Sequence, residues 1–249
     1  MADWVEGRVV SLRRWTDTLY SLRLQADIPP FRAGQFTRLA LELEGELVAR
    51  PYSFVNGPDE PLLEFCFVRV PDGPLTARLV ALGPGDRVLI SPRSAGFFVL
   101  DEVPAADVLW MLSTGTAIGP FLSILATAQA WHQFRHLVLV HAVRYLPELT
   151  YRDQIEALRA AHPQQLSYIP FVSREDTGFA VRGRITAALE SGALEQRAGL
   201  ALAATTSQVM ICGNPDMVAD TQRVLEARGM KKNRRREPGQ ITTEQYWKT

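Results

Sequence analysis

The chain has 249 residues, of which 47% are apolar and 22% charged, and its 27 basic side chains balance its 27 acidic ones. This length suits one large domain or two ordinary ones, and the composition is typical of globular proteins. A formal net charge of zero gives no indication of nucleic-acid binding. The two cysteines, Cys66 and Cys212, are too few and too far apart for an iron–sulfur cluster, so we expect no metal site.

The N-terminus and the most apolar stretch indicate neither a leader nor a membrane span. Residues 1–4 lack a basic region followed by an apolar core, so no signal peptide is predicted. Residues 108–128 are interrupted by glycine, proline and hydroxyl side chains, which favours a buried strand–loop–helix over a membrane span. We therefore expect a cytoplasmic monomer that binds neither membranes nor nucleic acid.

Short strands separated by turns fill the first hundred residues, and one helix, over residues 74–82, interrupts them. Such a density of strands favours a closed antiparallel β-barrel. The predicted strands cover residues 5–12, 19–24, 35–43, 47–54, 62–70 and 87–90.

After the polar, proline-containing stretch 101–107, strands alternate with helices, which predicts a parallel sheet covered on both faces. The predicted domains are residues 1–100, a β-barrel, and residues 101–249, a Rossmann-like α/β domain. The predicted strands here are 108–112, 137–142, 165–171 and 209–212, and the helices are 119–130, 147–161, 184–191 and 215–228.

The segment Arg50-Pro51-Tyr52-Ser53 places a guanidinium, a phenol and a hydroxyl at the end of one strand. Arginine makes forked contacts to phosphate, tyrosine can stack on an isoalloxazine ring, and serine can hydrogen-bond the ring's reactive nitrogen. These residues therefore suggest a flavin site. The alternative is an ordinary strand end with a surface arginine.

The segment Gly73-Pro74-Leu75-Thr76 opens the predicted helix of the barrel. The free backbone amides of the first turn and the Thr76 hydroxyl suit a pyrophosphate. The alternative is a plain helix N-terminus.

Residues 114–119 lie between a strand and a helix, the context of a dinucleotide-binding turn, although the third glycine of that fingerprint is missing. The next strand is followed by Arg144, where an NAD site usually has an acidic residue for the ribose hydroxyl. Arg174 and Arg184 follow later elements. Several arginines and no carboxylate favour the extra phosphate of NADP, and the alternative is three unrelated surface arginines.

The segment Cys212-Gly213-Asn214-Pro215 follows a strand of the parallel sheet, at the edge where such sheets bind ligands. Gly213 would let a ring approach closely. Cys212 is either a catalytic thiol or a small buried apolar residue. His141 is interpreted as a hydrogen-bonded histidine at a strand end rather than a catalytic one.

In this order the motifs closely resemble those of the bacterial ferredoxin/flavodoxin–NADP reductases, over nearly the whole chain and including the aromatic pair Tyr246-Trp247. The resemblance implies an FAD-binding barrel followed by an NADP-binding domain, with electrons passing between NADPH and ferredoxin or flavodoxin through FAD. It further implies catalytic roles for Tyr52, Ser53 and Cys212. The implied FAD contacts are Arg50, Pro51, Tyr52, Ser53, Gly73, Leu75, Thr76, Thr116, Tyr246 and Trp247, and the implied NADP contacts are Gly115, Arg144, Ser173, Arg174, Arg184, Gly213 and Asn214.

The chain departs from this family at two places. Lys248 and Thr249 follow the tryptophan at which the chains of the nearest family members end, and Thr76 stands where serine is common, with the hydroxyl retained. Two other functions remain open at this point: a reductase of free flavin or another small acceptor, and a nonenzymatic sensor that binds FAD and NADP.

A basic cluster lies near the C-terminus, and ferredoxins and flavodoxins are typically acidic, so the cluster could steer such a partner to its docking site. It could also face the adenine side of the flavin, or be a solvated surface. The cluster comprises Lys231, Lys232, Arg234, Arg235 and Arg236.

Overall fold

The computed structural model describes residues 4–245, and its internal contacts divide the chain into two units. The first unit extends to Val99 and also includes Gly119–Thr127. The second comprises Leu100–Ile118 and the chain from Ala128 onward. The helical residues 119–127, which the sequence assigned to the second domain, therefore belong to the first unit.

The first unit contains a six-stranded antiparallel sheet with the strand order β4-β3-β6-β1-β2-β5. A bridge between Phe54 and Phe65 and a 2.9 Å hydrogen bond from the Val55 N–H to the Glu64 carbonyl join the two outermost strands. This closure confirms the predicted antiparallel barrel. The elements are β1 (Val5–Arg14), β2 (Leu19–Gln25), β3 (Phe36–Leu43), β4 (Glu46–Ser53), β5 (Leu63–Val68), α1 (Pro74–Leu79) and β6 (Arg87–Ile90).

The second unit contains a parallel sheet with the strand order β10-β9-β8-β7-β11-β12. Short 3₁₀ turns cover Leu100–Glu102, Gly115–Ala117 and Leu146–Glu148. The strands are β7 (Val108–Thr114), β8 (His136–Val143), β9 (Leu166–Val172), β10 (Val181–Arg182), β11 (Ser207–Gly213) and β12 (Ile241–Gln245). The helices are α2 (Ile118–Leu125, most of it in the first unit), α3 (Ala128–Gln133), α4 (Arg152–Ala161), α5 (Ile185–Glu190), α6 (Ala193–Ala198) and α7 (Pro215–Ala227).

The central strands of the parallel sheet are nearly continuous apolar runs, because helices cover both faces of such a sheet. Strands β7, β8 and β11 are buried along almost their whole length. Trp110 is fully buried at the centre, and its indole N–H donates to the Ser207 hydroxyl at 3.3 Å. This rigid sheet carries the loops at its carboxyl edge, where ligands bind in folds of this kind.

The largest differences between predicted and observed helices occur at two places. The helix predicted over 119–130 breaks after Leu125, where the Thr127 hydroxyl donates to the Ile124 carbonyl at 2.7 Å and competes with the helical pattern. The helix predicted over 147–161 begins only at Arg152, because Tyr151 has a left-handed backbone with φ of 60°. The strands β10 and β12 and the helix α6 were not predicted.

Candidate functional site

The predicted flavin-binding residues lie at the end of β4, in the first unit. Arg50 is exposed, and its Nη1 donates to the carbonyl of its own neighbour Ala49 at 2.8 Å. Tyr52 and Ser53 are half-buried, and the Ser53 hydroxyl makes no hydrogen bond to the part of the chain that the structure describes. This strand end therefore presents a cation and a hydroxyl that can both engage a ligand.

The phenol of Tyr52 is fixed and neutral. Its ring packs edge-on against Phe67 with 6.1 Å between the ring centres. Burial raises the pKa of Tyr52 to about 12, although the nearby Arg50 guanidinium counteracts this shift. The Tyr52 ring is thus a neutral aromatic surface across the physiological pH range, as stacking on a flat heterocycle requires.

Helix α1 contacts β4 within the same unit. Gly73 precedes the helix without a side-chain cap, and Pro74 opens it, so the Leu75 and Thr76 N–H groups have no partner within the helix. The Thr76 hydroxyl, in contrast, accepts a hydrogen bond from the Val70 N–H at 3.0 Å and is buried. The geometry thus offers backbone amides to a pyrophosphate, and it uses the Thr76 hydroxyl to hold the preceding loop.

The first unit therefore fits the phosphates and ring of FAD. The exposed Arg50 guanidinium and the free amides of α1 provide donors for two phosphates, because α1 and β4 are in contact. The ring of Tyr52 and the hydroxyl of Ser53 follow on the same strand. These roles stay predictions. Tyr246 and Trp247, predicted to contact FAD, lie outside the described residues.

In the second unit the ends of β7 and β11 are tied together. Thr114 Oγ1 accepts a hydrogen bond from the Asn214 N–H at 3.0 Å. Gly213 has a φ of 140°, and a Cβ there would lie 2.0 Å from Thr114 Oγ1. Asn214 caps α7 by accepting from the Asp216 and Met217 N–H groups. The side chain of Asn214 is therefore occupied by the helix, and a glycine is required at position 213 because Thr114 fills the space where a Cβ would lie.

His141 lies beneath the turn that follows β7. Its Nε2 is 3.0 Å from the Gly115 carbonyl, which can only accept, so Nε2 carries the proton. Burial lowers the pKa of His141 to about 4, which keeps the ring neutral at physiological pH. The ring supports Gly115 in its left-handed conformation (φ 55°), and Thr116 in the same turn is buried. The histidine is thus only partly satisfied, because its Nδ1 atom is buried and has no hydrogen-bond partner among residues 4–245.

Three arginines follow three adjacent strands of the sheet, in the order β8, β9 and β10. Arg144 and Arg174 lie on loops that are hydrogen-bonded to each other, from the Arg174 N–H to the Arg144 carbonyl at 2.9 Å. The Ser173 hydroxyl donates to the Val143 carbonyl at 3.2 Å and reinforces this contact. Arg184 directly precedes α5 and follows β10, which pairs with β9. The three guanidinium groups are exposed at one edge of one sheet.

This arrangement suits a phosphomonoester such as the 2′-phosphate of NADP, because several arginines on fixed loops can share its charge. The Tyr145 ring lies beside Arg174, with 5.7 Å between the guanidinium carbon and the ring centre. Hydrogen bonding to Tyr145 raises the pKa of Arg174, so this side chain stays charged.

The expectation that no carboxylate lies near these arginines was wrong. Glu148, in the 3₁₀ turn after β8, accepts hydrogen bonds from the guanidinium and the backbone N–H of Arg144 at 3.0 and 2.9 Å. Glu175 accepts a hydrogen bond from the Leu146 N–H. The sequence contained a signal for this, because a glutamate four residues after an arginine within a turn can reach back to it.

Cys212 is fully buried in β11, between Ser113 on β7 and Glu244 on β12. Such burial is typical of a small apolar residue, and the catalytic role of this thiol stays a prediction. The sequence analysis missed Glu244, because β12 was not predicted. The Oε2 atom of Glu244 is buried and has no hydrogen-bond partner among residues 4–245. Burial raises the pKa of Glu244 to about 7.

We expect Glu244→Gln to raise the melting temperature at about pH 8 and to leave it nearly unchanged at about pH 5. The native pKa of Glu244 lies above the usual 4.5, so ionisation destabilises the fold progressively as the pH rises from 4.5 through 7. At about pH 8 this penalty is roughly 1–3 kcal/mol, since one pKa unit corresponds to about 1.4 kcal/mol. Thermal unfolding of wild type and variant across this range measures it, and a pH-independent difference would contradict it.

Residues 4–245 hold no group of three or more histidine, cysteine, aspartate or glutamate side chains placed to bind a metal ion. Within the same residues, no helix has the length and apolar character needed to cross a bilayer.

Comparison with known proteins agrees with this geometry. A family model described as an oxidoreductase NAD-binding domain matches residues 111–223. The chain is 53% identical to the flavodoxin/ferredoxin–NADP reductase of Escherichia coli K12, over 99% of this chain and 100% of that relative. It is 36% identical to the ferredoxin–NADP reductase of Pseudomonas aeruginosa, over 98% of each chain.

The fold has a counterpart among solved structures. The chain is similar to the crystal structure of a ferredoxin NADP+ reductase from Neisseria gonorrhoeae with bound FAD and NADP, with a TM-score of 0.94 and 31% identity. The match covers 99% of this chain and 100% of the other. Full-length identity to named relatives thus agrees with the barrel and the parallel sheet, and it confirms the resemblance of the motifs: the chain belongs to the flavodoxin/ferredoxin–NADP reductase family.

Proposed function

We propose that this protein is an NADPH-dependent flavoenzyme that exchanges electrons with flavodoxin or ferredoxin through FAD. The observation that carries the proposal is that one chain holds two sets of donors. The set on β4 and α1 fits FAD, and the arginines after β8, β9 and β10 fit the 2′-phosphate of NADP. Membership of a reductase family, through a relative 53% identical over its full length, supports both assignments.

The residues of the first unit bind and orient the flavin. Arg50 neutralises phosphate charge, and the amides of Leu75 and Thr76 donate to the pyrophosphate. The neutral ring of Tyr52 holds the plane of the heterocycle, and the Ser53 hydroxyl is available to donate to a ring nitrogen. The chemistry that bound FAD supplies is the conversion of a two-electron donation into single electrons.

The residues of the second unit select and place the nicotinamide nucleotide. Arg144, Arg174 and Arg184 recognise the 2′-phosphate. The hydrogen bond between Thr114 and Asn214 fixes the strand ends at this edge of the sheet, and Gly213 permits their close contact. Binding at this edge orients the nucleotide.

The basic cluster is a rigid surface suited to an acidic partner protein. Its loop is held from inside by Asn233, whose side chain donates to Thr242 Oγ1 at 3.0 Å and accepts from the Gly239 N–H at 3.2 Å. All five basic side chains of the cluster are exposed. Glu102 pairs with Arg235 at 3.1 Å, and Glu237 lies 3.8 Å from Arg234. The cluster thus retains net positive charge, which steers an acidic electron carrier.

We further propose that the protein works as a monomer in the cytoplasm, away from membranes and nucleic acid. Cys66 and Cys212 are both buried thiols, which fits a reducing compartment. The balanced formal charge of the chain also fits a protein that does not bind nucleic acid.

The function is tested by following NADPH oxidation with flavodoxin, ferredoxin, free flavin and a small neutral dye as acceptors. We expect flavodoxin or ferredoxin to be reduced with a far lower KM than free flavin. Replacing Arg234, Arg235 and Arg236 together with glutamine is expected to raise the KM for the protein acceptor and to weaken its salt dependence. Exposed charges act over about 10 Å at 0.1 M salt, so this encounter is sensitive to ionic strength.

Reduction of the dye by the same variant is the control, and it should stay close to wild type. If the rates of dye reduction and of protein-acceptor reduction fall in parallel, the cluster stabilises the fold or the bound flavin and does not serve docking. Preferred reduction of free flavin would favour the small-acceptor reductase, and the absence of NADPH oxidation with every acceptor would favour a sensor.

A further inference from the structure

Glu148 makes contacts that the proposed function does not use. The residue follows β8, the strand after which nucleotide-binding sheets place the group that reads the adenosine ribose. Its side chain is 14% exposed, whereas that of its partner Arg144 is 60% exposed. A carboxylate is therefore held just inside the position assigned to the 2′-phosphate.

The two carboxylate oxygens of Glu148 accept hydrogen bonds from different groups. Oε2 accepts from the backbone N–H groups of Arg144 and Tyr145, at 2.9 and 3.3 Å. Oε1 accepts from Arg144 Nη2 at 3.0 Å. Because the bonds to Oε2 come from the backbone, they would hold the carboxylate in place even if the side chain of Arg144 were removed. Only Oε1 would then lose its partner.

The two nicotinamide nucleotides differ in how they would interact with Oε1 of Glu148. NADH carries a 2′-hydroxyl, a donor for which a carboxylate is the usual partner, and NADPH carries a dianionic phosphate that a carboxylate repels. Arginine has donors and no acceptor, so Arg144 attracts the phosphate and offers the hydroxyl nothing to donate to. By occupying Oε1, the same guanidinium also withholds this acceptor.

We propose that Glu148 is a specificity-determining residue: its carboxylate can accept a ribose 2′-hydroxyl, and Arg144 blocks it, so the Arg144–Glu148 pair disfavours NADH as well as favouring NADPH. This inference rests on the proposed function, since it takes Arg144 as a ligand of the 2′-phosphate. It differs from simple loss of a phosphate contact, because it requires removal of Arg144 to improve binding of the nucleotide that lacks the phosphate.

The test is equilibrium binding to the full-length, FAD-loaded protein by calorimetry, with two probes. Adenosine 2′,5′-bisphosphate reports the phosphate site, and NAD+ reports the free ribose hydroxyl. We expect Arg144→Ala to weaken binding of the bisphosphate by about tenfold or more, corresponding to about 1.4 kcal/mol. The same variant should bind NAD+ about three- to tenfold more tightly. Arg144→Met, which keeps the length of the side chain, is a second variant should the first fail to fold.

The decisive comparison is Arg144→Ala with the double variant Arg144→Ala/Glu148→Gln. The glutamine oxygen can keep the backbone bonds of Oε2, which leaves an NH₂ group, a donor, where Oε1 was. The double variant should therefore lose the gain in NAD+ affinity. The matched control is Arg159→Ala, which breaks an exposed pair with Glu156 on α4 and should leave both affinities unchanged.

The outcomes separate this inference from the proposed function. If Arg144→Ala weakens the bisphosphate and does not tighten NAD+, the phosphate site stands and the role of Glu148 is wrong. The role is also wrong if the gain in NAD+ affinity persists in the double variant. If Arg144→Ala leaves bisphosphate binding unchanged, Arg144 is not a phosphate ligand, and the proposed phosphate site fails together with this inference.

Discussion

Gly213→Ala is expected to destabilise the second unit by roughly 2–4 kcal/mol and to weaken nicotinamide nucleotide binding, because it displaces Thr114 at the edge of the sheet where the nucleotide binds. Gly213 has a φ of 140°, a backbone conformation that L residues rarely adopt, and this strain alone costs about 1–3 kcal/mol. An added Cβ would also lie 2.0 Å from Thr114 Oγ1. Thr114 would have to rotate away and give up the hydrogen bond from the Asn214 N–H, which contributes about 1 kcal/mol.

Two further variants separate strain from the clash. Gly229 lies after α7 with a φ of 83°, and nothing lies within 4 Å of the position that a Cβ would take. Gly229→Ala should therefore lower the stability by about 1–2 kcal/mol without affecting nucleotide binding. Thr114→Ala combined with Gly213→Ala removes the clashing hydroxyl and should recover part of the stability. Thermal unfolding and NADP+ titration of all three variants give the comparison. Equal losses in Gly213→Ala and Gly229→Ala would show that the contact with Thr114 is unimportant.

The fold was predicted well from the sequence because the apolar patterns of strands and of amphipathic helices are both strong in this chain. The strands of the first hundred residues were found to within a few residues, and the buried runs of β7, β8 and β11 read plainly as parallel strands. It missed β12 because Thr242, Thr243 and Glu244 are polar, and only pairing with β11 makes this segment a strand. The break between α2 and α3 depends on the Thr127 hydroxyl, a local hydrogen bond that periodicity does not register.

The site was predicted less completely, because residue type does not reveal which hydrogen bonds a side chain has already made. The sequence singled out Thr76 for its hydroxyl, and the family resemblance implied a nucleotide contact for Asn214. The structure uses the hydroxyl of Thr76 to hold a loop and the side-chain amide of Asn214 to cap a helix. Glu148 was overlooked although it lies four residues from Arg144. Glu244 becomes notable only through its burial. Tertiary contacts, not composition, decide each of these roles.

Arg50→Ala is expected to weaken FAD binding by about 100-fold or more, while the stability of the protein without FAD changes little. A forked arginine–phosphate contact comprises two charge-assisted hydrogen bonds, each contributing about 1.5–3 kcal/mol, and about 1.4 kcal/mol is a factor of ten in affinity. Arg50 is exposed, and its bond to the adjacent Ala49 carbonyl contributes little to the fold. The measurement is titration of the flavin-free protein with FAD, followed by flavin fluorescence, together with thermal unfolding.

Arg38→Ala is the matched control, because Arg38 is an exposed arginine on the neighbouring strand β3, paired with Pro51. It removes the same charge from the same sheet, so any general electrostatic attraction for FAD would weaken equally in both variants. If Arg50 makes a specific contact, Arg50→Ala should lose FAD affinity and Arg38→Ala should not. If the two variants bind FAD alike, the phosphates are held by the amides of α1 alone, and the assignment of Arg50 should be abandoned.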